Sequence, residues 1–220
     1  LQRTLGELRA VSLDVWGHTA DVMSKADIER FVSGAAGHFG GIDCLVCNGG
    51  GTVGGATLEA TDAEWMSTLD MNLLHTVRTI RAALPYLQEQ ENSSVVIVSS
   101  ISGWKPGPKA QYGAAKAAEI FLSSSLAWEL APQGIRVNTV CPGSIYFAGG
   151  GWANFARESP EGYARFLDHE LPHKRLGTDD EVADVITFLL SNRARWINGA
   201  MVPVDGAQGR PTGRWFEGSR

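Results

Sequence analysis

The stretch SVVIVSSISGWKPGPKAQYGAAKAAEIFLSSSLAWELAPQGIRVNTVCPG, residues 94–143, decides the fold class. It opens with a β-branched run, Ser94 to Ser99, which reads as a strand. A segment of helical period follows from Gln111 to Ala131, and a second strand-like run spans Arg136 to Cys141. Strand, long helix, strand in that order predicts two parallel strands joined by a crossover helix.

Outward from this unit the same alternation continues. Val11 to Thr19 reads as a strand, Lys25 to Phe39 as an amphipathic helix, Ile42 to Cys47 as a strand, and Thr61 to Glu89 as one long helix or two. On the other side, Val182 to Leu190 has helical period and Ala200 to Val204 reads as a closing strand. Thr61 with Glu64 forms a capping-box pattern, and Asp179 with Glu181 favours a helix start. The expected class is therefore α/β: a doubly wound parallel sheet in three layers, α/β/α, within a single domain over residues 1–220. Two stretches escape the pattern, 144–175 and 208–220. The first opens on Gly149, Gly150 and Gly151, lies just past the carboxyl end of a strand where open α/β sheets bind ligands, and is read as a substrate lid.

Composition narrows the function. The chain has 220 residues, of which 44% are hydrophobic and 20% charged, enough for a sizeable core. A net charge of -5 without a Lys/Arg run offers no footprint for nucleic acid or an anionic membrane. Apolar runs such as Val95 to Val98 and Ile186 to Leu190 fall far short of the ~20 residues that span a bilayer. Leu1 to Ala10 has no h-region or cleavage site of a signal peptide, and the chain reads as beginning partway into a domain. Cys44 and Cys47 form a C-x-x-C spacing, but residues three apart on a strand point to opposite faces, so no metal or disulfide is expected. Three unpaired thiols fit a reducing cytoplasm. The five histidines do not cluster, and no metal is assigned.

The chemistry concentrates at Tyr112-Gly-Ala-Ala-Lys116, preceded by Ser99-Ser100 at a strand end. Residues four apart on a helix share a face, so a phenol and an ammonium are neighbours there. A phenol with its usual pKa near ~10 is a poor base, and a nearby ammonium favours the phenolate. Tyr112 is then suited to exchange a proton with an alcohol or ketone oxygen that Ser100 holds.

In this order the motifs resemble the short-chain dehydrogenase/reductase family, with its Rossmann-like fold. Cys47-Asn48-Gly49-Gly50 is similar to the family's Asn-Ala-Gly turn, and Met71-Asn72 to the helix position whose Asn carbonyl holds a relay water. Val98-Ser99-Ser100 is similar to the serine strand, Tyr112 to Lys116 to the catalytic helix, Ile135 to Asn138 with Cys141-Pro142-Gly143 to the sixth strand and its turn, and Asp205-Gly206 to the closing pair. The resemblance implies NAD(P)-dependent interconversion of a secondary alcohol and a ketone. It implies Asn72, Ser100, Tyr112 and Lys116 as the catalytic tetrad. It implies NAD or NADP held by Asp21, Val22, Asn48, Gly49, Gly50, Tyr112, Lys116, Pro142, Gly143 and Ile145. Ser102, Trp104, Tyr146 and Trp152 are assigned to a small-molecule substrate, and the long helices at Thr61 to Glu89 and Gln111 to Ala131 to a homotetramer or homodimer interface.

Three departures stand out. The family's Thr-Gly-x-x-x-Gly-x-Gly loop is missing from the sequence, and a first strand, helix and second strand would occupy roughly 30 residues or more upstream of Leu1. Cofactor preference is written there and is unreadable here. Gly49 replaces the usual Ala, which should loosen its turn, and Phe147 stands where many relatives carry Thr. The alternatives to an active enzyme are a non-catalytic nucleotide- or partner-binding relative and a truncated, inactive chain.

Overall fold

The computed structural model describes residues 1–11, 14–107 and 109–208. Four strands form a parallel sheet in the order β1 (Cys44–Cys47), β2 (Ser94–Val98), β3 (Arg136–Pro142), β6 (Met201–Val204). Between β3 and β6 in the chain, β4 (Ile145–Tyr146) pairs with β5 (Gly177–Thr178) as a separate two-stranded ladder. Among the described residues the α-helices are α1 (Gln2–Arg9), α2 (Lys25–Phe39), α3 (Asp62–Leu69), α4 (His75–Leu87), α5 (Ala110–Leu130), α6 (Gly151–Glu158), α7 (Pro160–Glu170) and α8 (Asp179–Leu190).

The period-2 geometry of β2 builds two cores at once. Val95 and Ile97 face one cluster with Ile28 and Val32 of α2, Leu87 of α4 and Leu130 of α5. Val96 faces the other, with Val140 of β3 and Val182 and Leu189 of α8. Helices on both sides of one parallel sheet make the three-layer α/β/α arrangement expected from the sequence.

Helix boundaries follow their caps. Thr61 and Thr178 each close a reciprocal capping box with the Glu three residues on, starting α3 and α8. Gly40, in the left-handed region at φ 79°, ends α2. Of the one long helix or two anticipated over Thr61 to Glu89, the chain forms two, α3 and α4, joined by a π turn, Asp70–Leu74. Stretch 144–175 is largely ordered into α6 and α7, whose aromatic faces stack Trp152 on Phe166 at 4.4 Å and on Phe155 at 6.0 Å.

One expected strand is not formed. Of Val11 to Thr19, Ser12 and Leu13 lie outside the described residues, and residues 14–20 are irregular. A strand exists only through ladder bonds to a neighbour, and no strand flanks this segment among the described residues, where the sheet begins at β1. Trp16 instead packs on Phe31 of α2 at 5.4 Å. The stretch 208–220 lies outside the described residues except for Gln208.

The sheet and α5 meet closely after β2. The turn Ile101–Gly103 sits against α5, where a Cβ on Gly103 would stand 2.9 Å from the Lys116 carbonyl oxygen and one on Gly113 2.9 Å from that of Ser102. Both obstacles are backbone and cannot swing away. Gly103→Ala is expected to lower stability by about 1–3 kcal/mol in urea denaturation. Gly37→Ala, in the last turn of α2 where a Cβ meets nothing within 4 Å, should raise it by about 0.5–1 kcal/mol.

Candidate active site

Because the four strands run parallel, Asn48, Ser99, Gly143 and Asp205, which follow them, emerge at one end of the sheet. The two serines after β2 point to different sides. Ser99 is buried, and its hydroxyl donates to the Lys116 carbonyl at 2.8 Å, tying the strand to α5. Ser100, only partly buried, accepts from the Ser102 amide at 3.1 Å and shares a side-chain hydrogen bond with Tyr112. Tyr112 and Lys116 lie on one face of α5 as their spacing predicts, with Lys116 Nζ 5.8 Å from the ring centroid.

The electrostatic expectation for Tyr112 is corrected. Its pKa is raised: burial pushes it up, the Ser100 hydrogen bond pulls it down, and Glu119 pushes it up again. The ammonium is buried and engaged elsewhere, donating to the Val98 carbonyl at 3.0 Å and paired with Glu119 Oε2 at 2.9 Å.

Asn72 is buried in the π turn. Its side-chain amide donates to the Gly51 and Thr68 carbonyls at 2.7 and 2.6 Å, and its Oδ1 accepts from Gly51 N at 3.2 Å. Its backbone carbonyl accepts the Thr76 hydroxyl at 2.9 Å. Gly50 bridges the two motifs: a Cβ there would stand 2.5 Å from Asn72 Oδ1 and 3.2 Å from Lys116 Nζ. The Asn-Gly-Gly turn, Asn72, Ser100, Tyr112 and Lys116 are thus brought together.

The other assigned positions fall into two further places. Val22, Asn48 and Gly49 line a cleft of about 220 Å³ with His18, Phe31 and His75. Asp21 shapes the turn into α2, its Oδ1 accepting from Met23 N at 2.9 Å, and Arg78 anchors that turn by donating to the Met23 carbonyl at 3.3 Å. At the far end, Pro142 closes β3, Gly143 N donates to the Val204 carbonyl at 2.9 Å, and Ile145 pairs with Gly177. A cavity of about 520 Å³ opens beside Ile145 and Asp205, and neither Ser100, Tyr112 nor Lys116 lines it.

Trp152 stacks within α6 and α7, while Trp104 and Tyr146 are 42% and 45% exposed, and no ring contact joins the three among the described residues. Phe147 turns back onto Gly150, where a Cβ would meet its ring at 2.7 Å.

For a dinucleotide, the residues present fit at two points. Asn48 and Gly49 line the cleft beside Val22, and Lys116 Nζ lies close to Gly50, 3.2 Å from where a Cβ would stand.

Among the buried polar residues not singled out from the sequence are Glu119, His75 and Gln208. Glu119 was detectable as an acid three residues beyond Lys116 on the same helix. Gln208 clasps Ser144, accepting from its amide at 2.8 Å and donating to its hydroxyl at 2.9 Å, a non-local pairing with no sequence signal. His75 explains Gly49, because a Cβ at position 49 would stand 2.8 Å from His75 Nε2. Burial also lowers the His75 pKa from 6.5, so the ring is neutral at pH 7. Gly49→Ala should therefore cost about 1–3 kcal/mol in urea denaturation, as overpacking does. In the His75→Ala background the same change should cost far less, giving a coupling of about 0.5–3 kcal/mol in a double-mutant cycle.

A family model described as enoyl-(acyl carrier protein) reductase matches residues 3–207. The chain is 33% identical over 192 residues to isoepoxydon dehydrogenase patN of Penicillium expansum, covering 86% of this chain and 72% of that protein. It is 34% identical over 210 residues to dehydrogenase/reductase SDR family member 4 of Sus scrofa, covering 94% and 73%. Among solved structures, that of L-sorbose reductase from Gluconobacter frateurii, complexed with NADPH and L-sorbose, matches with a TM-score of 0.88 at 27% identity, covering 94% of this chain and 81% of that one. Family model, relatives and fold agree, and the chain belongs to the short-chain dehydrogenase/reductase family of NAD(P)-dependent oxidoreductases.

Proposed function

We propose that the protein interconverts a secondary alcohol and a ketone, with Tyr112 as general acid and base. The observation that carries this reading is the convergence of Ser100, Tyr112, Lys116 and Asn72 beneath the Asn48–Gly50 turn. The nicotinamide of NAD or NADP, when bound, supplies or accepts the hydride. In the reductive direction the Tyr112 hydroxyl donates its proton to the carbonyl oxygen, while the Ser100 hydroxyl donates a hydrogen bond that holds that oxygen in place. In oxidation the phenolate takes the alcohol proton back. Lys116 is assigned to the nicotinamide-ribose hydroxyls and Asn72 to a relay that returns the proton to solvent. Val22 and the Asn48–Gly50 backbone are assigned to the adenosine half, and Pro142, Gly143 and Ile145 to the nicotinamide. Asp21 is assigned beside the adenine.

Stretch 144–175 is proposed as the lid over the substrate. Its aromatic interior supports an ordered cover, with Trp152 acting through the packing of α6 on α7. Ser102 and Tyr146 remain assigned to the substrate side. Trp104 is read as a rim residue. Free, unpaired cysteines at 44, 47 and 141 fit the reducing cytoplasm as the working compartment.

Assembly is proposed through α5 and the α3–α4 pair. Trp128 and Phe121 on α5 are 85% and 76% exposed, and Met66 and Leu74 are exposed on the other element. Large apolar side chains left open on long helices mark contact faces.

With a panel of ketones and either NADH or NADPH, wild type should oxidise the reduced nucleotide. Tyr112→Phe should lose on the order of 10²–10⁴-fold in kcat while retaining nucleotide affinity. Turnover unchanged in that variant overturns the assignment; binding without turnover in wild type favours the non-catalytic relative. Light scattering at micromolar concentration should give a dimer or tetramer, and a monomer would remove the assembly.

A further inference from the structure

Glu119 has no role in the proposed chemistry, yet it is buried beside it. It projects from α5 one turn beyond Lys116 and is 1% exposed. Desolvating a carboxylate is costly, so burial pushes its pKa up, and the Lys116 ammonium opposes that shift. Its Oε2 lies 2.9 Å from Lys116 Nζ at an angle poor for a hydrogen bond, and its Oε1 lies 3.4 Å from the Thr76 hydroxyl oxygen, a long second contact of that group. Thr76 in turn donates to the Asn72 carbonyl at 2.9 Å. One carboxyl thus touches Lys116 directly and Asn72 through a single hydroxyl.

The alternatives for holding Lys116 are few. The Val98 carbonyl accepts from Nζ at 3.0 Å but carries no charge. The titratable groups facing the pair from other elements are Cys47 at the end of β1, Cys141 in β3 and His75 in α4. Burial pushes the thiols up to about 12 and about 11, and burial keeps His75 neutral. No other acid is placed to balance the ammonium among these neighbours.

We propose that Glu119 is a positioning residue of the Tyr112–Lys116 pair: it anchors Lys116 Nζ against the Val98 carbonyl and offsets the ammonium's pull on the Tyr112 phenol. The proposal rests on the reading of Tyr112 as acid and base. Its consequence is that this active site holds the Tyr112 proton more tightly than an uncompensated Tyr-x-x-x-Lys pair would, which favours ketone reduction near neutrality and moves alcohol oxidation to alkaline pH. The sign follows from charge: an anion near a phenol disfavours phenolate, so removing that anion lowers the phenol pKa.

The test titrates Tyr112 directly. Tyrosinate absorbance is read just after a rapid pH jump in wild type and in Glu119→Gln, each against its Tyr112→Phe counterpart, which removes the signal of Tyr86, Tyr146 and Tyr163. The Tyr112 midpoint should fall by about one pH unit in Glu119→Gln. The alkaline rise of kcat/KM for oxidation should move the same way. If Glu119→Gln does not fold, Glu119→Asp, which keeps the charge but withdraws it by one carbon, should show a smaller shift in the same direction. A midpoint that stays or rises in the variant that folds overturns the proposal, even if activity drops, since a merely structural role lowers activity without moving the titration. Turnover retained in Tyr112→Phe would instead sink the functional reading, and the titration would still decide what Glu119 does to the phenol.

Discussion

The contact between the end of β2 and α5 governs everything around the site. Ser99 fastens the strand to the Lys116 carbonyl, and Gly103 and Gly113 let two backbones approach within a distance that side chains forbid. A strand paired on both sides and buried on both faces has almost no freedom, so whatever is fastened to it inherits that rigidity. Ser100 and Tyr112 are carried by the two elements that this joint fastens together. The loop 50–57 is drawn to the same helix by Gln111, whose amide donates to the Val53 and Gly55 carbonyls at 3.3 and 3.1 Å.

Polar groups near the joint are handled by pairing rather than exposure. Lys116, Glu119, Thr76 and Asn72 are all buried, and each meets another of the set. Such a network is stable only when its members are satisfied together, because a lone buried charge costs several kcal/mol. The groups proposed to handle the proton thus lie in a medium where one charge strongly affects the next, which is how a phenol can be tuned without touching it.

Much of this was legible beforehand where local signals suffice. The bounds of Lys25–Phe39 matched residue for residue, since Ser24 caps one end and Gly40 the other. The strands at Ser94 and Arg136 were plain from their β-branched runs, and Tyr112 with Lys116 from helical spacing. What failed was non-local. Val11 to Thr19 has a strand's composition but no flanking strand among the described residues, and composition cannot supply a neighbour. In stretch 144–175 the glycines that open it masked two short helices whose stability comes from Trp152, Phe155 and Phe166 packing on each other. His75 looked like an ordinary helix residue, and only the folded chain shows it filling the space that Gly49 leaves.

The π turn at Asp70–Leu74 has a consequence for how this helix can vary. An α-helix advances about 100° per residue, so one additional residue in a turn rotates everything beyond it by roughly that angle. Here the offset lets Asn72 address Gly51 while Thr76, four residues on, addresses Glu119. The two halves of the rod are in different phase, and the turn acts as the joint between them. Substitutions along α3 and α4 change single contacts, whereas a one-residue deletion in the turn would rotate the partners of α4 as a body. The length of this segment is thus constrained more tightly than most of its side chains.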